Sequence, residues 1–488
     1  MEAAEWYDLR NNRTNRIDNI LLDSDAEPIT VNVLKYDDWH GQIMAVSLMN
    51  ILSRWCRRII VYMPDDVPCL IDRWSDQTLN DVINQIMSLA DPYGEFKIVS
   101  DYNIDTPSEF NICIGNQEAR GQYWIDSCGW IAAFGYDTNS KISSSAPNDR
   151  NPIGAVYAAS CICSIIFSKY INQKEFELIP FENYHSLFDF KTANTPYNLS
   201  NPFWDATLDI GKVWQIGAGA VGSTFDFILS LIPVAGRLDI IDYDKVEIPN
   251  TSSSLIFTAS DAIDNKTKVG ACKSALSSNQ KLSCEEHPDK DFGQFVREVN
   301  LLKDYPDLIL CFANEKNVWS TIQNNEPPVV LHATTSSNWG VNFGRHIPFK
   351  EWCIVCRFGI DELEYVPVCS EAVSVEGDQI EEKLGILPFL SPVAAVLVLA
   401  EIIKLNMLIG EEYPVNLNFI QLSMKKIASS IPMSFNLKPT YKCPVCSDQE
   451  ESTYLEGYKH GKYYMKSICK SSCDLGYLDN SGSRTEFS

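Results

Sequence analysis

Residues 213–229 read VWQIGAGAVGSTFDFIL. An apolar run ends on three glycines, Gly217, Gly219 and Gly222, at G-x-G-x-x-G spacing, and an apolar helical pattern follows. No other stretch constrains the fold as tightly. The spacing predicts a strand turning sharply into a helix whose N-terminal N–H groups face a phosphate, the signature of a Rossmann-like α/β sheet. It does not say whose phosphate. A nicotinamide or flavin cofactor would make an oxidoreductase, and ATP something else. Downstream, RLDIIDYDKVEIPN puts Asp242 at a strand end twenty residues after Gly222. A carboxylate there accepts ribose hydroxyls from NAD or ATP alike. Asp244, in the same turn, reads either as a solvated turn carboxylate or as a second contact to the nucleotide and its metal.

The apolar pattern divides the 488 residues into two α/β halves. In the first, VNVLKYD (31–37), RIIVYM (58–63), FKIVS, FNICIG and GWIAAFGY read as strands, with helical patterns at GQIMAVSLMNILSRW and TLNDVINQIMSLA. This half has no glycine-rich loop. It ends in a long apolar helix opened by Asn151 and Pro152. Residues 188–209, polar and proline-bearing, read as a linker. The second half alternates KVWQIG, RLDIIDYD, DLILCF and VVLHAT with helices, and also ends in a long apolar helix, opened by Ser391 and Pro392. The matching ends suggest a diverged duplication. The expected domains are a diverged α/β pseudo-domain over 1–190, an active-type domain over 191–447 and a polar tail over 448–488.

Two CxxC pairs, Cys353/Cys356 in WCIVCRF and Cys443/Cys446 in YKCPVCS, have the spacing of a tetrahedral structural zinc site closed by four thiolates. The alternative, two unrelated buried pairs, sits poorly with CPVC among polar neighbours. The chain starts with a charged, polar stretch rather than an apolar leader, so an intracellular, cytoplasmic protein is expected, with cysteines serving as thiols or ligands. The run ILPFLSPVAAVLVLAEIIKL, broken by two prolines, Glu401 and Lys404, is too interrupted to predict a membrane span. A net charge of −24 argues against nucleic-acid or anionic-membrane binding, and suits either solubility or a basic protein partner.

Taken in order, GAGAVG, DYDKVEIPN, Lys268 in NKTKVGA and the CxxC pairs resemble the ThiF/MoeB fold shared with ubiquitin-activating enzymes, over about residues 205–446. The front half is similar to the inactive adenylation half of such enzymes. Together they look most like the activating enzyme of bacterial ubiquitin-like antiviral (Bil-type) conjugation systems. The resemblance implies Mg-ATP, with Gly217, Gly219 and Gly222 cradling the phosphates. It implies that Asp242 holds the ribose, with Asn250 and Lys268 on the phosphates. It also implies an arginine reaching in from the other half, which matches Arg16 in NRTNRIDNIL, near Arg13. The alternative for that stretch is a solvated N-terminal arm. The implied partners are a ubiquitin-like protein and a conjugating enzyme, and self-association into a homodimer stays open.

Two positions depart from the family. Ser253 stands where the family has an arginine, and Ala313 stands where it has the aspartate that serves magnesium and the adenylate. Glu315 or Asp244 could compensate, the chain could be a naturally dead or regulatory copy, or the alanine could be a deliberate inactivating change. The transfer thiol implied by the family falls on Cys369, in the acidic, glycine-bearing loop after the first CxxC pair, where no basic neighbour in sequence lowers its pKa. An exposed spectator thiol is the alternative. Cys161, Cys163, Cys272 and Cys311 sit in apolar patterns and read as core; Cys469 and Cys473 stay unassigned. The expected activity is C-terminal adenylation of a ubiquitin-like protein followed by thioester formation. The rivals are a binding pseudoenzyme and a sulfur-carrier or peptide adenylyltransferase without a thioester.

Overall fold

Two eight-stranded sheets follow one another along the chain. The first contains β1 (Ile29–Val33), β2 (Arg58–Tyr62), β3 (Glu95–Val99), β4 (Asn111–Ile114), β5 (Tyr123–Cys128), β6 (Ile131–Tyr136), β7 (Phe181–Ser186) and β8 (Thr192–Ala193), in the order β3-β2-β1-β4-β5-β6-β7-β8. The second contains β9 (Leu208–Ile216), β10 (Val234–Ile241), β11 (Leu282–His287), β12 (Leu308–Cys311), β13 (Val329–Thr335), β14 (Gly340–His346), β15 (Phe419–Ser423) and β16 (Met433–Phe435), in the order β11-β10-β9-β12-β13-β14-β15-β16. The two orders are the same, strand for strand. In each, five strands pair parallel before the pairing turns antiparallel, at β5/β6 and at β13/β14. The computed structural model describes residues 1–15, 17, 27–100, 109–115, 122–142, 149–171, 179–299, 304–324, 329–347, 351–358, 386–407, 417–429, 432–438, 443, 462 and 463.

Local sequence explains most elements. The helix Leu79–Ala90 starts where Thr78 Oγ1 accepts from Asp81 N, and it buries Leu79, Val82, Ile83, Ile86, Met87 and Ala90 as one helical stripe. The helix Ile153–Ile171 begins where Asn151 Oδ1 accepts from Ile153 N. Ser391 is not the cap of the helix Leu390–Met407: the helix begins one residue earlier, and Ser391 Oγ is buried without a hydrogen-bond partner. These two helices are long and apolar enough to cross a membrane, yet 89% of each apolar window is buried inside the protein. They pack against each other, and Phe167 on the first lies against Trp339 and Phe389. One continuous apolar cluster therefore runs through both halves.

The predicted strand over 31–37 ends at Val33, and the residues after it form the turn into the helix Trp39–Ser53. The segment 188–209, read as a linker, contains β8, a 3-10 turn at Pro196–Asn198 and the start of β9. Residues 3–15 form a helix, Ala3–Asn15, rather than a solvated arm. It buries Trp6, Tyr7, Arg10, Asn11 and Thr14 and packs on the turn Ile248–Ser252 of the second half. Arg10 is fully buried with Asp91, 2.7 Å away. In the stretch expected as a polar tail, Tyr463 is buried, its hydroxyl donating to Ile210 O at 3.0 Å, and Lys462 pairs with Asp209.

Candidate active site

In a sheet of this order the chain leaves β9 for β10 on one side and returns to β12 on the other. The crevice at the carboxyl ends of β9 and β12 is where such sheets bind ligands. The three glycines stand there with three different duties. Gly217 has φ +95, its N donates to Ile241 O at 2.9 Å, and a Cβ on it would lie 3.1 Å from Ala313 N. A Cβ on Gly222 would meet Gly217 O at 2.2 Å, so this glycine lets the helix Ala220–Leu229 sit close on the strand. Gly219 is the helix N-cap, and a Cβ there would meet nothing within 4 Å. The space beyond Gly219 is open, at a helix end whose dipole and N–H groups favour an anion.

Beside this turn lies a cleft of about 450 Å³. Ile216, Ile241, Phe292 and Val318 give it apolar walls, and Asp242, Asp244, Ala313 and Glu315 line its polar side. Asp242 is fixed by two backbone donors: Ala218 N to Oδ2 at 2.7 Å and Asp244 N to Oδ1 at 2.9 Å. Burial pushes the Asp242 carboxyl above its usual range, Asp244 adds to the push, and Lys268 opposes it. Lys268 opens the helix Lys268–Leu276 with Thr267 as cap, and its Nζ lies 2.5 Å from Asp244 Oδ2. Glu315 is raised by burial, with Asp242 and Asp244 adding to it and Lys268 opposing. Its Oε2 is buried without a hydrogen-bond partner. Glu315, Asp242 and Asp244 line one cleft and are oxygen donors of the kind Mg²⁺ takes, but they do not bring their oxygens together at ligating spacing as Cys353, Cys356 and Cys443 bring their sulfurs.

The expected site residues divide into three groups. Gly217, Asp242, Asp244 and Ala313 line the cleft, Gly219 caps the helix beside it, and Lys268 pairs with Asp244. Asn250 does not line it: its Oδ1 accepts from Glu247 N at 2.8 Å and closes the turn Ile248–Ser252. Arg13 lies in the last turn of the helix Ala3–Asn15, on the element packed against that turn. Ser253 is buried, its Oγ 3.4 Å from Asn250 O. Arg16, Cys369 and Cys446 lie outside the described residues. Sequence reading missed the contribution of Phe292 and the residues before it. The pattern DFGQ carries the signal: Asp291 and Gln294 form a reciprocal capping box that starts the helix Phe292–Glu298 at the cleft rim.

The other cluster lies after β14. Cys353, Cys356 and Cys443 bring their sulfurs within 4.8 Å of one another, with Cys353 Sγ 3.7 Å from each of the other two. Sulfurs on a tetrahedral ion with bonds of about 2.3 Å stand about 3.8 Å apart. Two of the three sulfur spacings thus match the edge of a metal tetrahedron. Among the other described cysteines, Cys161, Cys163 and Cys272 have pKa values pushed up by burial, and so has Cys311, to about 12.

Residues 206–445 match the model of the ThiF family, and residues 29–176 match the BilD N-terminal domain. No curated protein matches the chain. Among solved structures it is similar to E. coli MccB with ATP (20% identity over 49% of this chain and 67% of that one, TM-score 0.35). It is likewise similar to E. coli MccB alone (21%, 50% and 66%, TM-score 0.36) and to E. coli MccB with AMPCPP and selenomethionine MccA (20%, 48% and 66%, TM-score 0.36). The chain spans about two thirds of the length of these MccB chains. The chain therefore joins a BilD N-terminal domain to a ThiF-family domain, a Rossmann-like adenylation fold preceded by a second α/β domain of the same strand order.

Proposed function

We propose that the chain is an ATP-dependent activating enzyme for a ubiquitin-like protein. The observation that carries this reading is the open helix N-terminus at Gly219 beside a cleft walled by Asp242, Asp244 and Glu315, with Lys268 paired behind them. The backbone N–H groups from Gly219 onward bind phosphate oxygens. Asp242, already held by two N–H donors, keeps lone pairs for ribose hydroxyls. Lys268 leaves Asp244 in part to meet the phosphates. The C-terminal carboxylate of the substrate protein attacks the α-phosphorus, the bond to the β-phosphate oxygen breaks, and pyrophosphate leaves. Glu315 and Asp244 would hold Mg²⁺, which supplies charge neutralisation on the phosphates. The acyl-adenylate then passes to the Cys369 thiolate, releasing AMP, and from the thioester to a conjugating enzyme. The high pKa values of the buried thiols Cys161, Cys163, Cys272 and Cys311 support looking for the nucleophile elsewhere in the chain. In this reading Cys446 completes the Cys353, Cys356 and Cys443 cluster around structural zinc, and the enzyme serves antiviral conjugation in the cytoplasm.

One observation favours a second reading. Ala313 stands on the cleft wall, next to Gly217, where a carboxylate would face the nucleotide, and no acid replaces it at that position. The chain would then bind the ubiquitin-like protein without adenylating it. ATP–pyrophosphate exchange with the cognate ubiquitin-like protein separates the two. Exchange by the chain as it stands, abolished in Glu315→Gln, is the result expected from compensation. Exchange that appears only in Ala313→Asp marks a chain silenced at that position. None in either form overturns the activating-enzyme reading.

A further inference from the structure

Arg54 ends the helix Trp39–Ser53 of the first half as its C-cap residue, and its side chain is buried. A buried guanidinium ordinarily faces a carboxylate. Among the described residues this one makes no ion pair. Its Nη1 donates across the boundary between the halves to the carbonyl oxygens of Thr251 at 2.9 Å and Phe257 at 2.5 Å. Its Nε and Nη2 donate to Asn50 Oδ1 at 3.2 and 3.0 Å, and Asn50 Nδ2 donates in turn to Leu255 O at 3.0 Å. Two residues of the first half thus hold three carbonyls of one seven-residue segment of the second. On its other side that segment is tied to the helix that starts at Gly219: Ser254 Oγ lies 2.7 Å from Ser223 Oγ, and Leu255 N donates to Thr224 Oγ1 at 3.4 Å. Asn250 stands immediately before the segment.

We infer that Arg54 is a positioning residue. By bonding the carbonyls at both ends of Thr251–Phe257, it fixes that segment against the first turns of the phosphate-facing helix, so that the first half sets the geometry of the second half's cleft. A single cation with two backbone acceptors makes the tie directional, because losing it strands two buried carbonyls at once. The catalytic consequence rests on the adenylation reading; the structural tie does not.

The test uses the full chain with Arg54→Lys and Arg54→Met. Three quantities are read: hydrogen–deuterium exchange of peptides over 248–258 against peptides over 29–62, ATP affinity by calorimetry, and kcat and KM for ATP in pyrophosphate exchange. In Arg54→Met, amide exchange over 248–258 should rise at least tenfold while 29–62 stays protected. Turnover should fall about tenfold, with KM for ATP changing less than threefold. Arg54→Lys, which still places a donor between the carbonyls, should recover turnover to within about threefold of the parent. A rise spread evenly over both peptides, or unchanged protection over 248–258 with normal turnover, overturns the inference. Should Arg54→Met fail to fold, Asn50→Ala carries the same test, since it frees Leu255 O and removes the acceptor of Arg54 Nε and Nη2: loss of protection confined to 248–258 is expected, and uniform loss or none overturns the inference. A parent chain that neither binds ATP nor exchanges pyrophosphate defeats the adenylation reading, and the local exchange pattern still decides the role of Arg54.

Discussion

The turn after β1 and the turn after β9 occupy the same place in two sheets of the same order, and they are filled in opposite ways. After β9 the turn is built from glycines, and the N-cap position at Gly219 is open. After β1 the Asp38 carboxylate caps the helix, accepting from Gly41 N at 2.9 Å, so the anion at this helix end belongs to the protein itself. The Lys35 side chain lies against the Cα positions of Gly41 and Gly115 and carries its Nζ to within 2.5 Å of the buried Asp126. Charge and space that the second half leaves for a ligand are supplied internally in the first. Both halves keep the glycine that lets helix pack on strand: a Cβ on Gly41 would meet Lys35 O at 2.0 Å, as one on Gly222 would meet Gly217 O at 2.2 Å. The glycine that permits packing and the glycine at the open helix end are different residues, so a half can have the first without the second.

The largest effect expected from this contrast comes from the two lysines. Lys268→Ala should lower pyrophosphate exchange roughly a hundred- to a thousandfold, the usual loss for one charge-stabilising group, with little change in melting temperature. Lys35→Met should do the reverse. It leaves Asp126 buried without its cation, costs about 3 kcal/mol in denaturant unfolding, and spares ATP binding. Loss of ATP binding in Lys35→Met would break the contrast.

A difference of similar size separates the two helices four residues on from their packing glycines, where Asp226 stands in the second half and Ala45 in the first. Burial raises the Asp226 carboxyl from 3.8 to about 7, against the lowering effect of its hydrogen bonds from Gln215 and Cys272. The native state then keeps this proton through a window in which the unfolded chain has released it. Stability should therefore fall as pH rises from about 4 to about 7, by as much as about 4 kcal/mol. In Asp226→Asn that slope should flatten, and the gain over the parent should be greatest above pH 7 and vanish near pH 4. Urea melts across this range read it directly, and an unchanged slope would show that the buried carboxyl is not linked to folding.

The smallest effect is the clearest on mechanism. Asp38→Ala should cost about 1 kcal/mol of stability, as N-cap losses do, and leave ATP affinity alone. Gly219→Ala should leave stability within a few tenths of a kcal/mol, because its Cβ meets nothing, yet weaken ATP binding at least tenfold by standing in the phosphate's place. Equal ATP affinity in Gly219→Ala and the parent would mean that this helix end holds no phosphate.

How far the sequence revealed this depended on how much of each signal was local. The glycine spacing, Asp242 after its strand and the CxxC pairs are short patterns, and the structure brings Gly217, Asp242, Asp244 and Ala313 to one cleft and three cysteines to one cluster. The helix Ala3–Asn15 was hidden because part of its buried face is polar: Arg10 is held by Asp91, Asn11 accepts from Arg10, and Thr14 donates to Ile386 O, and both Asp91 and Ile386 lie far along the chain. Polar edge strands such as β7, FENYHS, lack the apolar alternation that marks a strand from sequence. Asn250 pointed to phosphate by family pattern, but its side chain closes its own turn. Arg54 carried no pattern at all, since its partners are carbonyls two hundred residues away.

The helices Ile153–Ile171 and Leu390–Met407 lie back to back in one apolar cluster shared by both sheets. Two halves that were merely tethered could move independently. Here the buried surface of each half is also the other half's interior, and Lys404 of the second half reaches 4.0 Å from the ring of Phe190, in the turn between β7 and β8 of the first sheet. Cutting the chain between β8 and β9 and separating the pieces should expose the apolar flank of a long helix on each. A core shared in this way couples the two halves, so that opening one should unprotect the other.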